Sequence, residues 1–560
     1  MIVKYLIWLV ILFTIGRLCY RAFTKFRSYR NDSIWGSQMG CELPLELPKK
    51  WPFGLDRIKD LWETNAEGRL LAYLCEIAED YEPQNNLSQY LLFGPRAFHV
   101  LHPKNLEAVL SKNFKDYGFG VRPQIFAPLL GNGIFTQEGS EWQHSRELLH
   151  KQFKNVQSQN FGQFREHVDN LIGRLPLSGE VDLQPLFFDL TMDIATALLF
   201  GRSVYTLRAG IDQHQKNRLF AESFNIAQEG LAKRFRIAPW HNLYNTQAFQ
   251  KACDEIHRFV EQYIMDLDLE TVDGNEEKRY GFIKQIAKES CLETAENNKA
   301  KRRGPSEHDI NESKKMKDIR DQLLNVLLAG RDTTACCLSW TLYVSHRQRY
   351  LRRFPLSADY TLPMPSRLLV RHAGVMERLR KEISSVMGNE SIPSREQIKR
   401  IRYLDYVIKE SLRLYPPVPL NNREAVETTL LPTGGGPEGD KPILVRKGEL
   451  VVYSQYVNSR KKNIYGPDAC EFRPERWETG ELDNIGWAYF PFSRGPRQCL
   501  GEEFARMEIS YTIVRMLQTF SQIILPSGEP NQPVGTERQR LTLVLSSADG
   551  CRVEVLRARY

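Results

Sequence analysis

The run Phe492-Ser-Arg-Gly-Pro-Arg-Gln-Cys-Leu-Gly501 constrains this chain more than any other stretch of its 560 residues. A single cysteine, Cys499, stands in a loop rich in glycine and proline, and a helical pattern opens directly behind it, from Glu502 to Leu517. A sulfur placed there meets backbone N–H groups and the positive end of a helix, which favours thiolate over thiol. Gly495 and Gly501 lack a Cβ, so the backbone can approach a flat group closely, and Phe492 can shield the sulfur. Burial as a small apolar residue is the commonest fate of a cysteine, but that role needs no such loop. The other cysteines offer no rival chemistry. Ten in all make under 2% of the chain, without framework spacing, which fits a reducing compartment.

Three more groups of residues ask for a reason. Ala329-Gly-Arg-Asp-Thr-Thr334 puts a glycine, an acid and two hydroxyls inside an apolar helix, at a cost in helix propensity. A helix cap does not explain it, because Leu323–Leu328 precedes and Cys336–Trp340 follows. Glu410-Ser-Leu-Arg413 is an i,i+3 pair, and Phe472-Arg-Pro-Glu-Arg476 offers a further arginine. Alone, such a pair reads as a solvated helix face. Trp142 and Arg146 lie one helical turn apart and share a face. Apolar helical spacing recurs over Leu186–Phe200 and Asp321–Tyr343, with β-like pieces at Ala97–Leu101, Pro442–Val452 and Leu541–Leu556. The polar stretch 291–317 reads as a surface linker. With 42% hydrophobic and 26% charged residues, the whole is one large globular domain, mainly α with a minor β part. A net charge of +8 without a basic stripe gives no ground for nucleic-acid binding.

Taken together, these motifs resemble the cytochrome P450 monooxygenases, and the resemblance covers nearly all of the chain from about residue 40. It implies the P450 fold, with haem held between a long central helix and the cysteine loop. It implies haem b, with Cys499 as the axial iron ligand and metal site, and Phe492, Gly495 and Gly501 around it. Trp142 and Arg146 look like the pair that holds the haem propionates, and Arg497 and Arg423 resemble further propionate ligands, as suits a guanidinium fork. Asp332 and Thr333 would relay protons as the catalytic pair. Glu410, Arg413 and Arg476 would form a buried structural ion-pair cluster. Two electrons would come from NADPH through a separate reductase, since no flavin- or NADPH-binding fingerprint is present.

The blocks 118–135, 329–334 and 416–423 narrow the resemblance to fungal microsomal enzymes that hydroxylate alkanes and fatty acids. That implies a long-chain apolar substrate, and Phe126, Leu129, Leu130, Phe135, Leu324, Leu328, Val418 and Leu420 are the candidate pocket wall. Two other readings stand beside it: a tailoring oxidase of a polyketide-like secondary metabolite, and a haem-binding protein without monooxygenase activity.

The chain starts with an apolar run, Tyr5–Gly16, extended past Arg17 by Leu18, Cys19 and Tyr20, with Arg21, Lys25, Arg27 and Arg30 behind it. This predicts a transmembrane anchor over residues 1–22, single-pass in the membrane of the endoplasmic reticulum, with the rest facing the cytosol. Residues 23–54, basic and then dotted by Pro44, Pro48 and Pro52, read as a stiff extended hinge, and 55–560 as the haem-thiolate domain. Residues 343–366 depart from the family. They hold Pro355, Pro363 and Pro365 and follow neither helical nor strand period. A natural surface insertion is one explanation. A retained intron is the other, because 24 codons keep the reading frame. Leu342-Tyr-Val344 can be encoded with a GTAYGT donor, Ala358-Asp359 with a CTGAC branch point, and Ser366 with the AG acceptor. Splicing would then join Leu342 to Arg367.

Overall fold

The computed structural model describes residues 2–81, 86–90, 94–157, 162–208, 214–265, 282–283, 286, 306–342, 372–388, 392–526 and 534–558. Its axis is helix Ser306–Leu342, 37 residues and so about 55 Å long. Lengthwise against it lies helix Leu183–Phe200, apolar on nearly every face and accordingly buried. By length and composition this second helix could cross a membrane, but 67% of it is inside the protein, so it is a core element. One apolar cluster gathers Trp340, Tyr415 and Tyr511. Another gathers Phe220, Phe224, Leu323 and Leu327. Helix Glu502–Thr519, behind Cys499, packs on the central helix.

Among the described residues the minor β part is a mixed six-stranded sheet, a three-stranded sheet and two two-stranded ones. The order of the six-stranded sheet, the largest, runs Leu45–Glu46, Asn86–Tyr90, Arg96–Val100, Leu450–Ser454, Leu420–Ala425, Tyr117–Gly118. The stretch 442–452 is two strands, Lys441–Val445 and Leu450–Ser454, separated by a turn at Gly448. Likewise 541–556 divides among Gln539–Leu541, Leu545–Ser547 and Arg552–Arg557.

Two boundaries differ from expectation. The first helix does not stop at residue 22; it runs from Ile2 to Gln38. Residues 23–38 contain no proline, and the helix gives way at Gly40, whose φ of 69° suits a glycine just past a helix end. Its last turns are docked rather than free. Arg446 Nη2 donates to Ser33 Oγ at 3.0 Å, the same guanidinium sits 3.9 Å from the Tyr29 ring, and Gly36 lies against Leu444. The segment expected to be a hinge is therefore half helix, held on strand Lys441–Val445. The second difference is the linker 291–317. From Ser306 onward it is helix, because Glu, Lys and Met between 307 and 317 are good helix formers that need no apolar face. Residues 291–305, and the whole of 343–366, lie outside the described residues.

Candidate functional site

A cavity of about 320 Å³ opens between the central helix and the cysteine loop. One wall is the central helix, at Asn325, Val326, Ala329, Gly330, Thr333, Thr334 and Cys337. These positions are 3 to 4 residues apart, one face of a helix. The opposite wall is Phe492, Cys499, Leu500 and Gly501, continued along the next helix by Phe504, Ala505, Glu508 and Ile509.

The loop is shaped by its backbone. Ser493 and Gly495 have φ of 59° and 75°, and a Cβ on residue 495 would run into the Leu110 carbonyl. Cys499 N donates to the Phe492 carbonyl at 2.9 Å, which closes the turn. Gly501 is in an ordinary conformation, and a Cβ there would only touch the Phe153 ring. The Cys499 side chain opens onto the cavity. Burial pushes the thiol up to about 11, opposite to the direction expected from the loop, with the Gly501 N–H opposing. A coordinated metal cation would remove the thiol proton outright.

At the cavity edge four guanidinium groups converge: Arg122, Arg146, Arg423 and Arg497. Arg497 stacks 4.2 Å from both the Trp142 and Phe119 rings, and Arg146 flanks Trp142 on the same helix. Burial first, and Arg423 second, pull Arg122 and Arg497 down to about 9. Like charges gathered in a half-buried place fit a ligand with more than one anionic group. A flat cofactor with two carboxylates at one edge and iron at its centre satisfies both ends of the cavity, the arginines and the sulfur. The residues present therefore fit haem. Arg122 was missed in the sequence. It precedes Pro123 at a helix start and has no spacing to mark it.

Glu410, Arg413 and Arg476 meet away from the cavity, fully buried. Glu410 accepts from Arg413 Nε and Nη2 and from Arg476 Nε, each at 2.8 Å, and from Trp477 Nε1 at 2.9 Å. The arginines spend other donors on the carbonyls of Ser459, Ala469 and Tyr465. These partners hold the Glu410 carboxyl below its usual range against the cost of burial. Helix Arg402–Leu414 carries the cluster and presents Leu412 to the cavity.

The two residues expected to relay protons part company. Thr333 lines the cavity, its hydroxyl donating to the Ala329 carbonyl at 2.8 Å. Asp332 does not line it. Its carboxylate takes the Gln228 amide from helix His214–Arg236 and Arg331 Nη1 at 3.0 Å. Burial raises it to about 6. Arg331 is itself clamped by Asn225 and the Phe188 and Phe224 rings.

Of the eight candidate wall residues, Phe135 and Val418 line the cavity. Leu324 and Leu328 lie on the other face of the central helix, in the core with Leu129 and Leu130, and Phe126 packs against that core. Leu420 begins a sheet strand and is outside the lining. Apolar character marked all eight; the helical phase separates them. Glu508, also missed, had that phase as its signal, for it shares a helix face with Gly501 and Phe504.

Comparison with known proteins follows the same outline. A family model described as Cytochrome P450 matches residues 65–348 and 367–548, with 349–366 left out. A protein of Arthroderma benhamiae named Cytochrome P450 is 40% identical over 549 residues, 96% of either chain. Cytochrome P450 52A13 of Debaryomyces hansenii is 36% identical over 92% of either chain. Cytochrome P450 monooxygenase himC of Aspergillus japonicus is 35% identical over 96% of this chain and 87% of its own. Among solved structures, a cytochrome P450DA heme domain superposes with a TM-score of 0.69 at 17% identity, covering 93% of this chain and 99% of that one. At that identity the likeness concerns the fold.

Proposed function

This chain belongs to the cytochrome P450 family, and from that premise we propose that it hydroxylates a long apolar chain, a fatty acid or alkane, with O2 and electrons from NADPH delivered by a separate reductase. Family membership implies haem iron. The observation that carries the reading is the cavity itself. It has a cysteine sulfur on one wall, a threonine hydroxyl on the other, four arginines at its edge and mostly apolar side chains between. Bound there, haem supplies oxygen activation and the oxidation of an unactivated C–H bond.

The protein's own residues do the rest. Cys499 holds the iron. Trp142, Arg122, Arg146, Arg423 and Arg497 would hold the carboxylates, the arginines through charge-assisted hydrogen bonds. Thr333 holds a proton at its Oγ1 on the reacting side. Asp332 is the reservoir behind it, and delivers only after its carboxylate leaves Gln228 and Arg331. The subfamily resemblance and the apolar lining support a fatty acid or alkane. Tyr453 Oη and Gln455 Nε2, buried atoms of lining residues with no partner among the described residues, favour a chain that carries oxygen over a bare hydrocarbon. They support equally the second reading, a polyketide-like chain. A titration of the haem spectrum against fatty acids, alkanes and polycyclic compounds tests this. Binding of C12–C18 acids is expected; tight binding of a polycycle and none of a fatty acid overturns it.

Residues 1–22 are read as the membrane anchor, with the domain on the cytosolic face of the endoplasmic reticulum. Exposed Trp8, Leu12, Phe13 and Tyr20 on the first helix, and the basic residues after it, support this. Residues 343–366 are read as a retained intron. The support is the codon pattern, the in-frame length and the gap in the family match, which resumes at 367. Transcript sequencing tests it. Mature message that keeps those bases, with a longer protein that turns over substrate, ends the idea.

A further inference from the structure

Among the described residues, Glu508 is the one carboxylate that lines the cavity. It is only 2% exposed, and its Oε1 has no hydrogen-bond partner among the described residues. A buried polar atom in that state asks for an explanation. A structural one does not serve, because an apolar side chain of similar volume would fill the space without leaving an oxygen unsatisfied. Nor is the residue held by charge. Glu410, equally buried, is gripped by Arg413 and Arg476, whereas burial alone acts on Glu508 and raises its carboxyl well above the ordinary range. An isolated carboxylate in such a place would be prohibitively costly, so the group keeps its proton.

Its position gives that proton a direction. Glu508 follows Gly501 by two helical turns, about 10 Å along the axis, on the face that carries Phe504, Ala505 and Ile509 into the same cavity. We infer that Glu508 is a neutral carboxylic acid which donates a hydrogen bond from the cysteine-helix wall into the cavity, and as a positioning residue holds up the reduction potential of the iron bound to Cys499. The inference rests on the haem-thiolate reading above. Its acceptor would be an atom of the bound cofactor or a water in the cavity. A donor dipole aimed there stabilises the added electron, the same use of an apolar site that keeps the oxyanion-hole acid of ketosteroid isomerase neutral and donating.

The sign of one shift tests it. In the holoprotein, Glu508→Leu is expected to lower the midpoint potential, with Glu508→Gln, which still donates, in between. A rise would mean that the native group is an anion, and no change would mean that it is filler; either overturns the inference. If Glu508→Leu fails to take up haem, the infrared difference between wild type and Glu508→Gln decides. A protonated-carboxyl stretch present in the wild type, lost in the variant and moved on reduction of the iron is expected, and its absence from the wild type overturns the inference. Both variants are checked for the red-shifted carbon-monoxide band, so that loss of thiolate ligation, which would sink the wider reading, is told apart from failure of this one.

Discussion

Under helix Arg402–Leu414, Arg413 and Arg476 give their donors to Glu410 and to backbone carbonyls at 2.6 to 2.9 Å. At the cavity edge, Arg122, Arg146, Arg423 and Arg497 crowd one another, and the nearby acid is Glu138, whose own carboxylate is also held by the Phe119 N–H. Both regions are rich in arginine, the first fully buried and the second half-buried. One is complete as it stands, which marks a structural lock. The other gives some of its donors to Asn421, Asn422 and backbone carbonyls but none to a carboxylate among the described residues, an arrangement that suits a ligand with negative charge. The two glutamates repeat the contrast: Glu410 is gripped on all sides, and Glu508, a cavity-lining residue, has a buried Oε1 with no partner among the described residues.

The comparison can be broken from its structural side first. Glu410→Ala strands the buried Arg413 guanidinium, leaves Arg476 only Asp468 as a carboxylate partner, and is expected to cost about 3–5 kcal/mol. A thermal melt of the holoprotein should show a large fall in midpoint, with most haem lost. A melt near wild type would mean that the cluster is not a lock. Arg497→Ala, by contrast, should melt within a few degrees of wild type but release haem at least about tenfold faster, the loss of a charge-assisted contact worth ~1.5–3 kcal/mol. If Glu410→Ala and Arg497→Ala behave alike, the distinction falls.

Within the cavity, Thr333→Ala should keep haem and its spectrum while diverting most electrons from product to hydrogen peroxide, measured as NADPH consumed per product with a reductase supplied. Asp332→Asn should uncouple less severely, because its carboxylate faces Gln228 and reaches the cavity only by moving. Equal coupling in both variants and the wild type removes the relay. The smallest effect belongs to the first helix. Deleting residues 2–22 should free much of the protein from membranes without loss of haem, whereas deletion through 38 also bares Leu444 and should cost about 1 kcal/mol more. Loss of haem from the shorter deletion would contradict a separable anchor.

The sequence disclosed those features whose chemistry is local. Cys499 in its loop, the Glu410–Arg413 spacing and the Trp142–Arg146 turn are each written within ten residues, and the structure places Cys499, Trp142 and Arg146 on one cavity. What needed coordinates was direction. Apolar identity marked eight wall residues, but only the phase of the central helix decides that Val326 lines the cavity and Leu328 does not. Adjacent Asp332 and Thr333 look like one motif in the chain, yet about 100° of helical rotation sends them to different neighbours. Arg122 joins Arg423 across three hundred positions through Asn421 and Asn422, a pairing that no local pattern encodes.

The central claim is that Cys499 is the thiolate ligand of a haem iron, and the reduced, carbon-monoxide-treated difference spectrum tests it directly. Wild type should show the red-shifted band of thiolate-ligated haem. In Cys499→Ser that band should vanish while the melt stays cooperative, since a serine hydroxyl is far too weakly acidic to take the place of the thiolate. A folded Cys499→Ser protein with an unchanged band would contradict the account.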